Sequence, residues 1–139
     1  QDTDMNKVIR MCLIHDLGET FTGDVPAFEK TDADTVNEDA LFFDWVRSFP
    51  TAQRLEWLEL LNEMKELQTK EAKTYKALDK LEAVISHNES DLSTWLPLEY
   101  DLQLTYGKEN IQFSEYLKAL SERIDEWTKN KIKGLANLQ

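Results

Sequence analysis

Apolar residues recur three and four positions apart along most of this chain, the spacing that lines one side of an α-helix. Met5, Val8, Ile9, Cys12 and Leu13 form the first such stripe. It predicts a helix capped by Thr3 or Asp4, running to about residue 17 and stopped by Gly18. Residues 18–31 read as a loop marked by Gly23 and Pro26. A second helix is expected from Asp34 or Thr35 to about residue 48, with Val36, Ala40, Phe43 and Val46 or Arg47 inward. Pro50 interrupts. Thr51 is read as the cap of a third helix, with Leu55, Leu58, Leu61 or Asn62, and Met64 inward. Thr69 opens a fourth, over 70–88, with Ala77, Leu78, Leu81, Val84 and Ile85 on its buried side. Residues 89–97 are polar and end in Trp95-Leu96-Pro97; a short element over 98–106 follows and stops at Gly107. A last amphipathic helix over 111–133 carries Phe113, Leu117, Leu120, Ile124 and Trp127, and Gly134 is read as its end. No repeat, low-complexity tract or linker divides residues 1–139, so a single domain is expected.

Composition agrees with an all-α fold. The 139 residues are 41% hydrophobic, with only four Gly and three Pro, which suits helix and a real core. No apolar run approaches the roughly 20 residues that span a bilayer, and no secretory pattern opens the chain. Cys12 is the one cysteine, so no internal disulfide can form, which fits a cytoplasmic location. The formal net charge of −11 argues against nonspecific nucleic-acid or membrane partners, both of which need a basic surface. Lys129, Lys131 and Lys133 are read as cations favoured near a helix C-terminus. The aromatic-rich last helix is compatible with a homodimer.

Candidate chemistry gathers in one short run. His15 and Asp16 are adjacent, Glu19 follows one turn later, and Asp24 comes just after Gly23. Imidazole nitrogen with carboxylate oxygens suits Mn, Co, Fe, Zn or Ni better than Ca. Adjacent helical residues point roughly 100° apart, so the pair can share an ion only at a helix end, close to the backbone. Taken alone, an H-D pair reads more readily as a packed histidine beside solvated acids. Lys30, in the loop after Pro26, is a candidate to face a substrate phosphate, or else a solvated lysine. Trp95 and Tyr100 are candidates for a base pocket, or else core.

The wider pattern changes the weight of this run. Leu13-Ile14-His15-Asp16-Leu17-Gly18-Glu19, then Thr22-Gly23-Asp24-Val25-Pro26, resembles the HD-domain metal-dependent phosphohydrolases, above all the small branch that includes 5′-deoxynucleotidases. Leu78-Asp79-Lys80-Leu81-Glu82 is similar to a later helical motif of that branch, and the resemblance spans residues 5–130. It implies an all-α HD-domain helical bundle and a divalent metal ion (Mn, Co, Fe, Zn, Ni or Mg) held by His15, Asp16 and Asp79. Glu19 and Asp24 would serve as the catalytic acids. The substrate implied is a nucleoside 5′-monophosphate or a similar small phosphorylated metabolite. The family pattern also has a first histidine on a helix well upstream. Only 14 residues precede His15, none of them His, so the bundle is expected to lack that helix, to be N-terminally incomplete, and to bind metal weakly. His87 lies eight residues after Asp79, about 12 Å along a helix, and is read as a helix-end or surface residue. The alternative expectation is a noncatalytic helical binding module that retains a degenerate H-D motif.

Overall fold

The computed structural model describes residues 3–26 and 29–136, with side chains to residue 134. Its described residues form helices and turns with no strand, so the all-α class is borne out. The elements are α1 (Met5–Ile14), α2 (Glu19–Thr22), α3 (Asp32–Arg47), α4 (Thr51–Glu66), α5 (Lys70–Glu89), a 3-10 turn (Leu92–Thr94), α6 (Glu99–Thr105) and α7 (Glu115–Ala136). They fall into two compact units, residues 1–75 and 76–139, with the boundary inside α5. Among the described residues, no helix is long and apolar enough to cross a membrane.

In the first unit α1 packs on α4, α2 on α3, and α3 on α4. Asp4 caps α1 by accepting from the Lys7 amide at 3.1 Å. The Lys7 ammonium reaches Glu63 of α4 at 3.0 Å, which fixes where α1 lies against α4. The buried residues are Val8 and Met11 of α1, Phe42 and Val46 of α3, Leu60, Leu61 and Met64 of α4, and Ala72 and Tyr75 of α5. This corrects three expected faces. Met5, Ile9 and Leu13 lie outward, Leu13 at 74% exposure, and so do Val36 at 67% and Leu55 at 62%. The reason is that these helices carry apolar residues on two sides, and packing selects the stripe i, i+3 or i, i+4 that meets a neighbour. Each side chain buried in this way contributes about 1.5–3 kcal/mol.

Boundaries also move for local reasons. Helix α3 begins at Asp32 rather than at 34 or 35, because Thr31 and Asp34 form a reciprocal capping box. Those hydrogen bonds from Thr31 hold the Asp34 carboxyl below its usual range. Pro50, not Thr51, is the N-cap of α4. The helix stops at Leu67, which takes a left-handed φ of 51°. An aromatic cluster joins α3, α4 and α2: Trp45 lies 4.7 Å from Phe49 and 6.0 Å from Phe21, and Phe49 lies 5.4 Å from Trp57. Each such pair adds about 0.5–1.5 kcal/mol beyond its area.

The second unit is built on Ala77, Leu81, Val84, Ile111, Leu117 and Ile124. Along α7 the inward stripe is Leu117, Ser121, Ile124 and Thr128, while Trp127 stays outward, as does Phe113 in the turn before the helix. The expected apolar stripe is thus rotated, because two small polar residues are accommodated inside. Thr128 pairs with buried Asn88 of α5, whose amide donates to the hydroxyl at 2.9 Å. Gln103 of α6 donates to the Val84 carbonyl at 2.6 Å, tying α6 to α5. Helix α7 starts at Glu115 and continues through Gly134 to Ala136, rather than ending at the glycine.

Candidate metal centre

Helix α1 ends one residue before the H-D pair. His15 is its C-cap, and residues 15–18 continue as turns into α2, correcting the expected helix to residue 17 and loop from 18. That change of path brings two adjacent side chains to one place. His15 Nδ1 lies 2.8 Å from the Cys12 carbonyl. A carbonyl can only accept, so Nδ1 carries the proton, and in the neutral ring Nε2 presents a lone pair. Asp16 Oδ2 sits 3.0 Å from that Nε2. Two lone-pair atoms at this separation repel unless a cation or a proton lies between them. Ligands at right angles around a divalent ion with bonds of about 2.1 Å are themselves about 3.0 Å apart. The pair therefore has donor atoms suited to a metal ion, and with a proton on Nε2 the same contact is an ordinary ion pair; the Cys12 carbonyl is the usual kind of partner that fixes the ring.

Glu19 opens α2, and its carboxylate is 3.3 Å from the Lys30 ammonium. Lys30 also meets Glu38 of α3 at 2.7 Å. All three side chains are largely buried. Burial pushes the Glu19 carboxyl above the ordinary range; Lys30 opposes this, and the charges of Asp16 and Asp24 add to it. Burial works to lower Lys30, but its hydrogen bonds to Glu38 and Glu19 prevail and raise it. Asp24 is exposed in the loop after α2. Gly23 turns the chain there with φ +83°, a conformation that favours glycine. Beside His15 lies a cavity of about 230 Å3 walled by Phe42, Phe43, Met64 and Tyr75, with Asp39 and Lys65 at hand.

Asp79 belongs to α5 in the second unit, while His15, Asp16, Glu19, Asp24 and Lys30 belong to the first. Its carboxylate meets Lys76 at 2.9 Å and Lys80 at 3.9 Å. Lys80 is held in turn: its ammonium is 2.7 Å from the Tyr106 hydroxyl and 4.7 Å from that ring's centre. Among the described residues, no group of three or more His, Cys, Asp or Glu side chains is placed to hold an ion. The structure thus brings together His15 with Asp16, and Glu19 with Lys30. Trp95 is buried, stacked on His87 at 4.4 Å and against Tyr100 at 5.3 Å. His87 Nε2 lies 3.6 Å from Glu99, near the end of α5, as a helix-end residue. Glu38 was not apparent from the sequence; nothing in a lone acid on a polar helix face marks it.

A profile of the HD-domain family matches residues 1–121. No curated protein and no solved structure matches the chain.

Proposed function

This chain belongs to the HD-domain family, and from that premise we propose that it is a metal-dependent phosphomonoesterase. Its proposed substrates are nucleoside 5′-monophosphates or similar small phosphorylated metabolites. The family points to metal-dependent phosphohydrolysis; the finer substrate class is our own reading. The observation that carries it is the 3.0 Å approach of His15 Nε2 and Asp16 Oδ2, with the ring fixed from behind by the Cys12 carbonyl. In this reading His15, Asp16 and Asp79 hold a divalent ion. Such an ion, when bound, lowers the pKa of water and offsets charge on a phosphoryl oxygen.

The remaining roles fall to the chain's own groups. Glu19, whose proton affinity is raised mainly by burial, is suited to move a proton at its carboxylate. It would take one from the attacking water or give one to the leaving alkoxide. Asp24, which adds to the field on Glu19, is the second acid. Its neighbour Gly23 keeps the turn that presents it. The cavity beside His15, walled by apolar side chains together with polar ones that include Asp39 and Lys65, supports an organic substrate portion of modest size. Lys30, read from the sequence as a phosphate contact, already serves two carboxylates, so its proposed role is to hold Glu19.

Phosphate release from a panel of nucleoside 5′-monophosphates and sugar phosphates, with Mn2+ or Co2+, tests the reading. Turnover that is lost with a chelator and in Asp79→Ala is expected. Turnover unchanged by Asp79→Ala would remove Asp79 from the site. No turnover on any phosphomonoester would count against the activity itself and favour the binding-module alternative.

A further inference from the structure

Glu38 lies on α3, where its sequence neighbours Asn37 and Asp39 give no hint of function. Its side chain is only 14% exposed and its carboxylate is the nearer of the two that meet Lys30, at 2.7 Å against 3.3 Å for Glu19. The stem of Glu38 crosses the turn between α1 and α2 at Gly18. A Cβ built on Gly18 would stand 2.8 Å from Glu38 Cγ. Gly18 itself is buried and has ordinary helical dihedrals, φ −59° and ψ −34°. No backbone conformation therefore calls for glycine there. What calls for it is room for Glu38.

We propose that Glu38 is a positioning residue for Glu19, acting through the Lys30 ammonium that the two carboxylates share, with Gly18 providing the passage. The inference rests on Glu19 acting in the proposed reaction. The physical basis is the rigidity of a three-membered charge bridge. A lone lysine on a loop samples many rotamers and cannot fix a carboxylate. A lysine anchored by a second, more buried carboxylate on α3 is held at one end, and so confines Glu19 at the other. Two carboxylates around one ammonium also leave a net negative charge. Lys30 so placed is a support for Glu19 rather than an anion receptor.

Two readouts test this on the full chain. The first needs no turnover. The Lys30 15Nζ signal and the Glu19 13Cδ signal are followed by NMR, with Lys30 identified by the loss of its signal in Lys30→Arg. Held between two carboxylates, the Lys30 ammonium is expected to be protected from exchange with water in the wild type. In Glu38→Gln and in Gly18→Ala that protection is expected to fall and the Glu19 signal to move. Gly18→Ala changes no charge and suits the local backbone, so it keeps the test open if Glu38→Gln does not fold. The second readout is phosphate release. Displacing a group that moves a proton by a fraction of an ångström is expected to lower kcat about tenfold with KM within about twofold, and Glu38→Asp, which keeps the charge, recovers part of the loss. Lys30 and Glu19 signals unchanged in both variants would overturn the proposal. So would an unchanged kcat when both signals have moved. A wild type without turnover would refute the proposed function, while the NMR signals still decide the positioning.

Discussion

Gly107 and Gly134 both follow or sit in helices, yet opposite outcomes are expected when each becomes alanine. Gly107 has φ +69°, a left-handed conformation that costs an L residue about 1–2 kcal/mol. A Cβ there would also stand 2.5 Å from Lys80 Cβ and 3.8 Å from Lys80 Cα. Those atoms belong to the root of a side chain on α5, so no rotamer change relieves the contact; the turn or the helix must shift. Overpacking of this kind adds about 1–3 kcal/mol. Gly107→Ala is therefore expected to destabilise by about 2–5 kcal/mol. Gly134 lies within α7 with nothing near its Cβ position. Replacing it removes backbone freedom from the unfolded chain and is expected to stabilise by about 0.5–1 kcal/mol. Urea unfolding followed by circular dichroism separates the two. With a slope of about 1–3 kcal/mol per molar, the Gly107→Ala midpoint falls by about 0.7 M or more and that of Gly134→Ala rises slightly. A Gly107→Ala midpoint equal to that of the wild type would refute the argument, because both the dihedral and the contact would then be without consequence.

Thr128→Val is expected to cost about 1–3 kcal/mol, since it leaves the buried Asn88 amide without its hydroxyl partner; urea unfolding measures it, and a neutral effect would contradict the pairing. Adding Asn88→Leu should recover part of that loss, as both partners are then apolar. Burial raises the Glu19 pKa, so the folded chain holds that proton more tightly than the unfolded one. The contribution is complete below the ordinary carboxylate pKa and is lost as pH rises through the raised value. Glu19→Gln is thus expected to unfold at higher temperature than the wild type near neutral pH, and the gap should close on acidification; a gap that widens in acid would contradict the sign.

Which parts of this molecule could be read in advance follows from how local their causes are. The long helices were legible because a 3.6-residue period survives in any surroundings. The faces of α1 and α3 were not. Met5, Ile9 and Leu13 form as good a stripe as Val8 and Met11, and only the neighbour α4 decides between them. Helix α2 is one turn long and sits between two glycines, too short to show a period. The stop at Leu67 was invisible because leucine rarely takes a left-handed φ. Thr31 and Asp34, by contrast, carry a readable capping signal, a threonine three residues before an acid, which sets the start two or three residues before the expected one. In the candidate site, His15, Asp16 and Asp79 are expected from motifs, and the structure places His15 beside Asp16. Glu38 was out of reach, because its importance lies in a passage over Gly18 and a shared lysine, both made by the tertiary fold.

Ligation of a divalent ion by His15 and Asp16 is the core of the proposed function. It is tested most directly by equilibrium binding of Mn2+, followed through the loss of the free-ion EPR signal, in the wild type, His15→Ala and Asp16→Ala. Removing a ligand should weaken the tightest binding event by about tenfold or more, and phosphate release should fall with it. Wild-type affinity retained in His15→Ala would contradict the account, because the ion would then be held by the acidic surface and not by this pair.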